Sequence, residues 1–261
     1  MEILRASVEK FTQEPGIEGI YKQIERCGRV CYKSEKNIKE GSAEAFTKRL
    51  IKSGHGAMLE HGAVYLRIPL EHDKEYAEQI LKILSSKYSI VHPGSNGYWV
   101  STNLRVLVEA GPHWEAILNA YLVDLDLNHE EKYTAHFIIS RGIANEFLRH
   151  RVFSFAQEST RWIDYDKRGL EYILPQWAEH NIESEELDIW AKAMRDSEAY
   201  YRSLRVTLKP GDARGVLPTD LKTELVMTGT MGQWEGFFKL RLAKDAHPDA
   251  RFIANKWRDI I

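Results

Sequence analysis

The chain has 261 residues, and its 36 Lys and Arg against 38 Asp and Glu leave a formal net charge of -2. A chain of this length can bury a sizeable core within one large domain. The near-neutral charge excludes a protein whose overall field draws it to nucleic acid or to anionic membranes, so any anion binding must be local.

The two cysteines also narrow the class of protein. Cys27 and Cys31 are four residues apart, a spacing that puts them on one face of a helix rather than in a disulfide framework. The start MEILRASVEKF lacks the apolar segment of a secretory signal, and no run approaches the roughly 18 apolar residues of a membrane helix. These features predict a soluble protein in a reducing, cytoplasmic compartment.

The first half of the chain alternates between helical and strand patterns. Apolar residues at helical spacing predict helices over residues 16–33, 42–55 and 72–87. The alternating stretch AVYLRIPL, residues 63–70, predicts a strand. Residues 88–130 are the least legible region: VHPGSNGYWVS carries turn residues, HWEAILNAYLV predicts a short helix, and DLDLNHEEK predicts an acidic loop.

The second half has clearer patterns. YTAHFIIS predicts a strand, after which Ser140 is a candidate N-cap for a helix in RGIANEFLRHR. SEELDIWAKAMRDSEAYYRSL predicts a long helix with acids in its first turn. TDLKTELVMTGT alternates as a strand does, and MGQWEGFFKLRL predicts a helix with Arg241 on the face of Trp234. Pro248 suits the first turn of a last helix.

The stretch RHRVFSFAQESTRW, residues 149–162, concentrates arginines and hydroxyls. Arg149, His150 and Arg151 could simply complement the negative end of the preceding helix, an effect of about 0.3–1 kcal/mol. That interpretation leaves the many donors after them unexplained, whereas phosphate recognition needs both guanidinium groups and hydroxyls. The interleaved aromatic residues, each of which could instead pack in the core, then suggest a pocket for a nucleotide or a flavin.

Two histidine-containing stretches invite other interpretations. His55, Glu60 and His61 could be read as a metal site, but their spacing is not that of the His-Glu-x-x-His helix and no further cluster completes a ligand shell, so no metal is predicted. His150 is a weak candidate for a general base, because the adjacent arginines should lower its pKa and favour the neutral ring.

Arg241 is the most informative single residue outside the motif. Its head could snorkel to water, as in most helices. On a stripe of Trp and Phe, however, its charge would be partly desolvated and would need an anionic partner. The same argument applies more weakly to Arg214 in DARGVLP. Because no P-loop, dinucleotide-binding or nucleophile-elbow motif is present, any difficult chemistry would belong to a bound cofactor.

These residues resemble a known family, the flavin-dependent thymidylate synthases. RVCY, LEHGAVYLRI, ARGVLP and FFKLR occur in that family's order. The resemblance implies an α/β fold of the α+β type, with a mixed, largely antiparallel sheet flanked by helices. It also implies a single domain over residues 1–261 with an insertion at about 88–130, and a homotetramer whose subunits share active sites. The family motif is matched at Arg149, His150, Arg151, Ser154, Ser159 and Arg161.

The activity implied by the resemblance is reductive methylation of dUMP to dTMP, with FAD as cofactor and NADPH and methylenetetrahydrofolate as co-substrates. Two alternatives stay open: a phosphate- or RNA-binding module, and a flavoprotein that oxidises NADPH on this scaffold without methyl transfer. The overall charge disfavours the large electrostatic footprint of an RNA-binding surface. Neither nucleic acid nor a membrane is an expected partner.

The resemblance also implies roles for individual residues. Arg241 would be the catalytic residue, stabilising negative charge that develops on the uracil. Glu146 stands where many members carry glutamine, and an ionised carboxylate cannot donate to a uracil carbonyl. The dUMP-binding residues would be Glu146, Arg149, Gln157, Glu158, Ser159, Thr160, Arg161, Arg214 and Arg241. The FAD-binding residues would be His61, Ala63, Arg149, His150, Arg151, Gln157, Thr230, Met231, Gly232 and Gly236.

Overall fold

The computed structural model of the protein describes residues 1–179 and 183–261. Helices and strands are mixed along the whole chain, in agreement with the predicted α+β class. The strands are β1 (Glu2–Leu4), β2 (Ser7–Phe11), β3 (Ala63–Pro69), β4 (Ile90–Gly94), β5 (Gly97–Asn103), β6 (Lys132–Ser140), β7 (Ser154–Gln157), β8 (Glu171–Ile173) and β9 (Lys222–Thr230). The helices are α1 (Gly16–Val30), α2 (Ser42–Lys52), α3 (Ala77–Leu84), α4 (Leu104–Ala110), α5 (Trp114–Tyr121), α6 (Arg141–Phe147), α7 (Tyr165–Arg168), α8 (Glu185–Arg205), α9 (Pro210–Ala213), α10 (Met231–Arg241) and α11 (Pro248–Arg258).

Three sheets carry these strands. The largest, here called the central sheet, has the order β2-β6-β9-β7 and is antiparallel throughout. Strands β3, β5 and β4 form a separate antiparallel sheet, and β1 pairs in parallel with β8. The predicted mixed, largely antiparallel arrangement is confirmed. The strands are divided among three sheets, because β3 pairs with β5 and β1 pairs with β8 instead of joining the central sheet.

The central sheet is covered on both faces. On one face, helices α6, α10 and α11 pack around Phe137, Leu225, Trp234 and Trp257. The other face packs against α1 and the short 3-10 turn Gly56–His61. All nine residues of β9 are therefore buried. The alternation in TDLKTELVMTGT separates an apolar face from a polar face, and both are inside the protein.

A second apolar cluster surrounds the three-stranded sheet, where Leu66, Ile83 and Leu107 are fully buried. Within residues 88–130, helix α5 and the acidic loop were expected, but the β4 and β5 hairpin and helix α4 were not. The turn residues of VHPGSNGYWVS form the two-residue connection of that hairpin. Gly97 has φ +149°, and a Cβ there would lie 2.2 Å from a backbone oxygen, so only glycine fits.

The other predicted elements are present with small shifts at their ends. Ser140 caps α6, since its Oγ accepts a hydrogen bond from the Ile143 amide at 3.3 Å. Pro248 occupies the first turn of α11. Over the described ranges, no helix is both long and apolar enough to cross a membrane.

Candidate functional site

The motif RHRVFSFAQESTRW surrounds strand β7. Residues 149–153 connect α6 to the start of the strand, and residues 157–161 form its last position and the loop that follows. A strand of four residues spans about 13 Å at about 3.3 Å per residue. The two halves of the motif therefore lie at opposite ends of β7, which we call the arginine end (residues 149–153) and the hydroxyl end (residues 157–161).

Three side chains from two helices and a loop meet at the arginine end. Arg241, the last residue of α10, donates to Glu146 Oε2 and to the Glu146 carbonyl oxygen, both at 2.5 Å, and to His150 Nε2 at 2.9 Å. The Arg241 side chain is only 16% exposed. The expectation that this arginine needs an anionic partner is confirmed, and the partner is the carboxylate of Glu146.

His150 is neutral in this arrangement. Its Nε2 accepts the hydrogen bond from Arg241, so the ring proton is on Nδ1. Burial, together with the charge of Arg241, lowers the pKa of His150 to about 4. The predicted neutral ring is confirmed, but its predicted cause was wrong. Arg149 and Arg151 extend into solvent, and the arginine that acts on His150 comes from a helix about 90 residues further along the chain.

The arginine end is tied to the start of α10. The Gln233 side chain donates to the carbonyl oxygen of Val152 at 2.9 Å and accepts from the Thr230 amide at 2.8 Å. Phe153 is buried, with its ring 4.5 Å from the ring of Trp234. Residues predicted for FAD from two distant parts of the sequence, the arginine motif and the stretch beginning at Thr230, are therefore neighbours.

The surface beside these residues is open. Arg149 and Arg151 are exposed, and neither has a carboxylate within 4.0 Å in the parts of the chain that the structure covers. A Cβ added at Gly232 or Gly236 would meet no atom within 4 Å, so these glycines leave an unobstructed face on α10. Met231, in the same turn, is half-buried.

The hydroxyl end is ordered by hydrogen bonds of its backbone and side chains. The Ser159 amide donates to the carbonyl oxygen of Cys31 at 3.0 Å, and the Arg161 amide donates to Ser159 Oγ at 3.4 Å. Arg214, from the turn Arg214–Val216, donates to Thr160 Oγ1 at 3.3 Å. Arg161 and Arg214 are exposed and, among the described residues, pair with no carboxylate within 4.0 Å. Two guanidinium groups are thus available to an anion beside Ser159.

Some residues predicted for dUMP are buried instead. Glu158 and Thr160 are each 4% exposed. Glu158 accepts hydrogen bonds from Tyr165 Oη at 2.8 Å and from Lys222 Nζ at 3.2 Å, so both of its carboxylate oxygens are in use. In this conformation the side chain of Glu158 has no open path to a nucleotide. Gln157 is half-buried, and its side chain lies 3.5 Å from the hydroxyl of Thr223.

His61 and Ala63, predicted to line the flavin or folate, are also inside the chain. His61 Nδ1 lies 2.8 Å from Thr228 Oγ1 beneath the central sheet. Burial lowers the pKa of His61 to about 4, although the nearby Phe155 backbone opposes this shift. The Ala63 amide donates to Gln13 Oε1 at 2.8 Å. Within one chain His61 is a neutral core residue, and its ligand role stays a prediction.

The structure also shows the surroundings of the two cysteines and of the stretch considered as a metal site. Cys27 and Cys31 are free, and burial raises the pKa of both thiols, to about 11 for Cys31. Neither is an activated nucleophile. Glu60 pairs with Arg105 at 2.6 Å. Within residues 1–179 and 183–261, no three His, Cys, Asp or Glu side chains are grouped so that they could hold a metal ion.

A buried group of charges contains residues that were not among the predicted site residues. Lys222 and Glu224 project from the polar face of β9, where Glu224 also contacts His136 at 3.1 Å. Glu158 of the hydroxyl end belongs to the same group. The available signal was the pair of opposite charges at alternate positions in a strand that is otherwise apolar or hydroxylated, since such charges are seldom fully buried unless they are paired.

Comparison with known proteins places the chain in a family. The family model described as "Thymidylate synthase complementing protein" matches residues 128–261, just over half of the chain. Proteins named flavin-dependent thymidylate synthase match over part of the sequence: the Pyrococcus furiosus protein is 31% identical over 120 residues, and the Sulfurisphaera tokodaii protein 34% over 119 residues. Each alignment covers 45% of this chain, and it covers 48% and 45% of the respective relatives. The chain thus spans about half the length of the curated relatives it matches.

A solved structure aligns with nearly the whole chain, at a lower sequence identity. The crystal structure of a UMP/dUMP methylase from Streptomyces cacaoi, with bound 5-Br dUMP, aligns with a TM-score of 0.48 and 14% identity. The alignment covers 99% of this chain and 91% of that chain.

Proposed function

Because this chain belongs to the thymidylate synthase complementing protein family, we propose that it catalyses the reductive methylation of dUMP to dTMP. Methylenetetrahydrofolate would donate the carbon, and NADPH would supply the reducing equivalents through FAD. The observation that supports this most is the division of the arginine motif. One end has a paired arginine, Arg241, beside the exposed Arg149 and Arg151, and the other has two arginines that are available to an anion next to a serine hydroxyl.

The hydroxyl end would bind the phosphate of dUMP. Ser159 offers a hydroxyl, while Arg161 and Arg214 offer guanidinium groups that form paired, charge-assisted hydrogen bonds with phosphate oxygens. The exposed Trp162, whose ring lies 5.6 Å from the Arg161 guanidinium, limits the directions this arginine can take. Thr160 would act indirectly by holding Arg214.

The arginine end would bind the uracil. Arg241 is fixed by three hydrogen bonds, and a preorganised cation of this kind stabilises negative charge as it develops on the ring. His150 accepts from Arg241 without adding charge, and Glu146 holds the guanidinium in place. Arg149 is exposed beside this group and would contact both the nucleotide and the cofactor.

The two ends would meet in one site only between subunits. They are about 13 Å apart along β7 in a single chain, so we propose a homotetramer in which the arginine end of one subunit faces the hydroxyl end of another. Exposed apolar side chains beside the motif support a covered surface, since Val152, Trp162 and Leu240 are 63%, 64% and 62% exposed. His61 would then contribute to the site only through the segment that it anchors.

The arginine end suits FAD in charge, and it has an open face on which a cofactor could lie. Arg149 and Arg151 would hold the diphosphate, and Thr230, Met231 and Gly232 would offer backbone at the N-terminus of α10, where a helix favours anions, while Gly236 would leave room one turn further on. When bound, FAD supplies hydride chemistry that no side chain of this protein can supply. The unactivated cysteines, of which Cys27 is buried and Cys31 partly buried, are consistent with a reaction that does not use an enzyme thiol.

The visible spectrum of the purified protein, recorded with and without dUMP, tests this function. We expect an FAD spectrum that changes when dUMP is added, and dTMP formation when NADPH and methylenetetrahydrofolate are supplied. A colourless protein that cannot be loaded with FAD would contradict the proposal and favour a phosphate- or RNA-binding module. A flavin spectrum that is indifferent to dUMP would leave a flavoprotein that only oxidises NADPH.

The proposed function includes a domain organisation and a cellular location. We propose that residues 88–130 are an insertion into a single domain, in which the β4 and β5 hairpin extends the sheet begun by β3. A reducing, cytoplasmic location is proposed from the two free thiols.

A further inference from the structure

The hydroxyl end rests on a connected group of buried charges, here called the charged layer. Its centre is Lys222, whose Nζ lies 2.7 Å from Glu224 Oε1, 3.2 Å from Glu158 Oε2 and 3.2 Å from Glu171 Oε2. The side chains of Lys222, Glu224 and Glu158 are 6%, 7% and 3% exposed. Charges buried to this extent are paired, because removing an isolated charge from water costs a large free energy.

The layer reaches the loop of residues 158–161 by two routes. In the first, Lys222 and Tyr165 together bind both carboxylate oxygens of Glu158, which fixes the residue immediately before Ser159. The Glu158 amide also donates to the carbonyl oxygen of Glu224 at 2.9 Å. The side chain and the backbone of one loop residue are thus attached to the same strand.

The second route passes through the segment after α1. Lys33 Nζ lies 2.5 Å from Glu224 Oε1, and the carbonyl oxygen of Cys31, two residues earlier, accepts from the Ser159 amide. Lys33 has φ +49°, which an L-residue adopts only when its surroundings compel it. Its carbonyl oxygen accepts from Arg168 at 2.8 Å, so its conformation is held from both sides.

Around His136, the charges of the layer change one another's pKa values. Both nitrogens of His136 face carboxylates, with Nδ1 2.9 Å from Glu9 Oε1 and Nε2 3.1 Å from Glu224 Oε2. Although burial opposes the shift, His136 and Lys222 hold the pKa of Glu224 well below its usual range. Likewise, against the effect of burial, Glu158 and Glu224 raise the pKa of Lys222. Lys222 and Glu224 are therefore ionised at neutral pH.

We propose that Lys222 is a positioning residue for the nucleotide phosphate, because through Glu158 and Glu224 it sets the place of Ser159 and Arg161. This inference rests on the proposed function of the hydroxyl end. Lys222 itself touches no substrate, since its Nζ is surrounded by three carboxylates. The same contacts reassign Glu158, whose carboxylate fixes the loop, leaving Ser159 and Arg161 to contact the ligand.

Lys222→Met tests the inference, because it keeps an unbranched side chain only one atom shorter and removes the charge. In the FAD-loaded protein we expect the dissociation constant of dUMP, measured by calorimetry, to rise by about 10-fold or more. Bound FAD and the rate of NADPH oxidation without dUMP should stay near wild-type values. Lys222→Arg retains the charge and should restore dUMP affinity to within about 3-fold of wild type.

Two further variants keep the test decisive. Tyr165→Phe removes only the hydroxyl that binds Glu158 and should weaken dUMP binding by about 3-fold. It can therefore test the attachment of the loop if Lys222→Met does not fold. Lys192→Met breaks an exposed ion pair with Asp196 on α8, far from the loop in sequence, and is the matched control that should bind dUMP normally.

Hydrogen exchange separates failure of this inference from failure of the proposed function. In Lys222→Met and Tyr165→Phe, the amides of residues 158–161 should exchange faster, while those of α10 should not change. Wild-type protein that does not bind dUMP would contradict the proposed function, and loop exchange would still test the role of Lys222. Unchanged loop exchange together with unchanged dUMP affinity in Lys222→Met would overturn the inference.

Discussion

Arg241 at one end of strand β7 and Arg161 and Arg214 at the other end are in opposite electrostatic states. At the arginine end, Arg241 is half-buried and bound to Glu146 and to a neutral His150. At the hydroxyl end, Arg161 and Arg214 are exposed, and in the described part of the chain no carboxylate lies within 4.0 Å of either. A short strand thus separates the compensated Arg241 from Arg161 and Arg214, while Arg149 and Arg151 beside Arg241 are also exposed and available to an anion.

The difference indicates what each end can do. An unpaired guanidinium can bind a full negative charge, such as a phosphate, with a large gain in hydrogen bonding. A paired, immobile one binds a full anion less strongly, but it can stabilise partial charge that appears during a reaction without reorganising. Arg241 is therefore suited to the reacting ring under the proposed function, and Arg161 and Arg214 to binding the phosphate.

The largest effect is expected at the paired arginine. Arg241→Ala should lower kcat/KM for dTMP formation by about 100- to 1000-fold, the range found when one preorganised donor is removed. Bound FAD should be retained, as judged by the flavin absorbance of the purified variant. Arg258→Ala, which removes an exposed arginine beside Asp259, is the control. Unchanged turnover in Arg241→Ala would refute its role.

The next effect is expected at an unpaired arginine. Arg214→Ala should raise the KM for dUMP by about 30-fold and change kcat little, because a charge-assisted hydrogen bond to phosphate contributes about 1.5–3 kcal/mol. Steady-state kinetics with varied dUMP measures both constants. Arg195→Ala, an exposed arginine of α8, should behave as wild type. A fall in kcat with unchanged KM would place Arg214 at the reacting ring instead.

A pair of variants tests whether the ends are assigned to the correct ligands. Arg151→Met should weaken FAD binding by about 10-fold and leave dUMP affinity nearly unchanged, while Ser159→Ala should do the reverse. Flavin release and dUMP titration, measured on both variants, give four comparable constants. If each variant affected the other ligand, the two ends would be reversed.

A smaller effect is expected from the carboxylate that compensates Arg241. Glu146→Gln keeps the shape of the side chain and the backbone contact of Arg241 but removes the negative charge. Arg241 should then stabilise charge on the uracil more strongly, raising kcat by about 3-fold. Single-turnover rates compared with wild type measure this change. A large loss of activity would instead show that the carboxylate itself is needed at the ring.

The smallest expected effect is a loss of stability at acid pH. His61 and His150 have folded-state pKa values lowered to about 4, whereas an unfolded histidine has a pKa of about 6.5. Between these values the unfolded chain binds more protons, so the free energy of unfolding should fall as pH falls from about 6.5 to 4. Urea midpoints across this range should decline less for His61→Asn than for wild type. Equal declines would mean that His61 is protonated when folded.

Much of the fold follows from local pattern, and the exceptions have physical causes. Helices α1, α2 and α8 were predictable because each buries one stripe of side chains at helical spacing. The β4 and β5 hairpin was missed because its turn residues, including Gly97, were taken as the end of a helix rather than as a connection between strands. The SNG sequence at that turn was the usable signal.

The site was predictable as a set of residues but not as an arrangement. The spacing of the motif identified Ser159 and Arg161 as candidates, and the aromatic stripe around Arg241 indicated that this arginine needs an anion. The partner could not be predicted, since Glu146 lies 95 residues away in the sequence. Nor could the burial of Glu158 and His61, which depends on the strands and helices that cover them.

The amino-acid sequence by itself determined which chemical groups the protein possesses: its helical and strand periods, an arginine and hydroxyl motif, and cysteines outside any reactive setting. Only the tertiary structure decided which charges neutralise one another, because pairing depends on distances of a few ångströms between residues far apart in the chain. It joined Arg241 to Glu146, enclosed Lys222 among three carboxylates, and left Arg161 and Arg214 exposed. Basic side chains thus differ in their partners and exposure, and the positioning and ligand-binding roles that we propose for them follow from that difference.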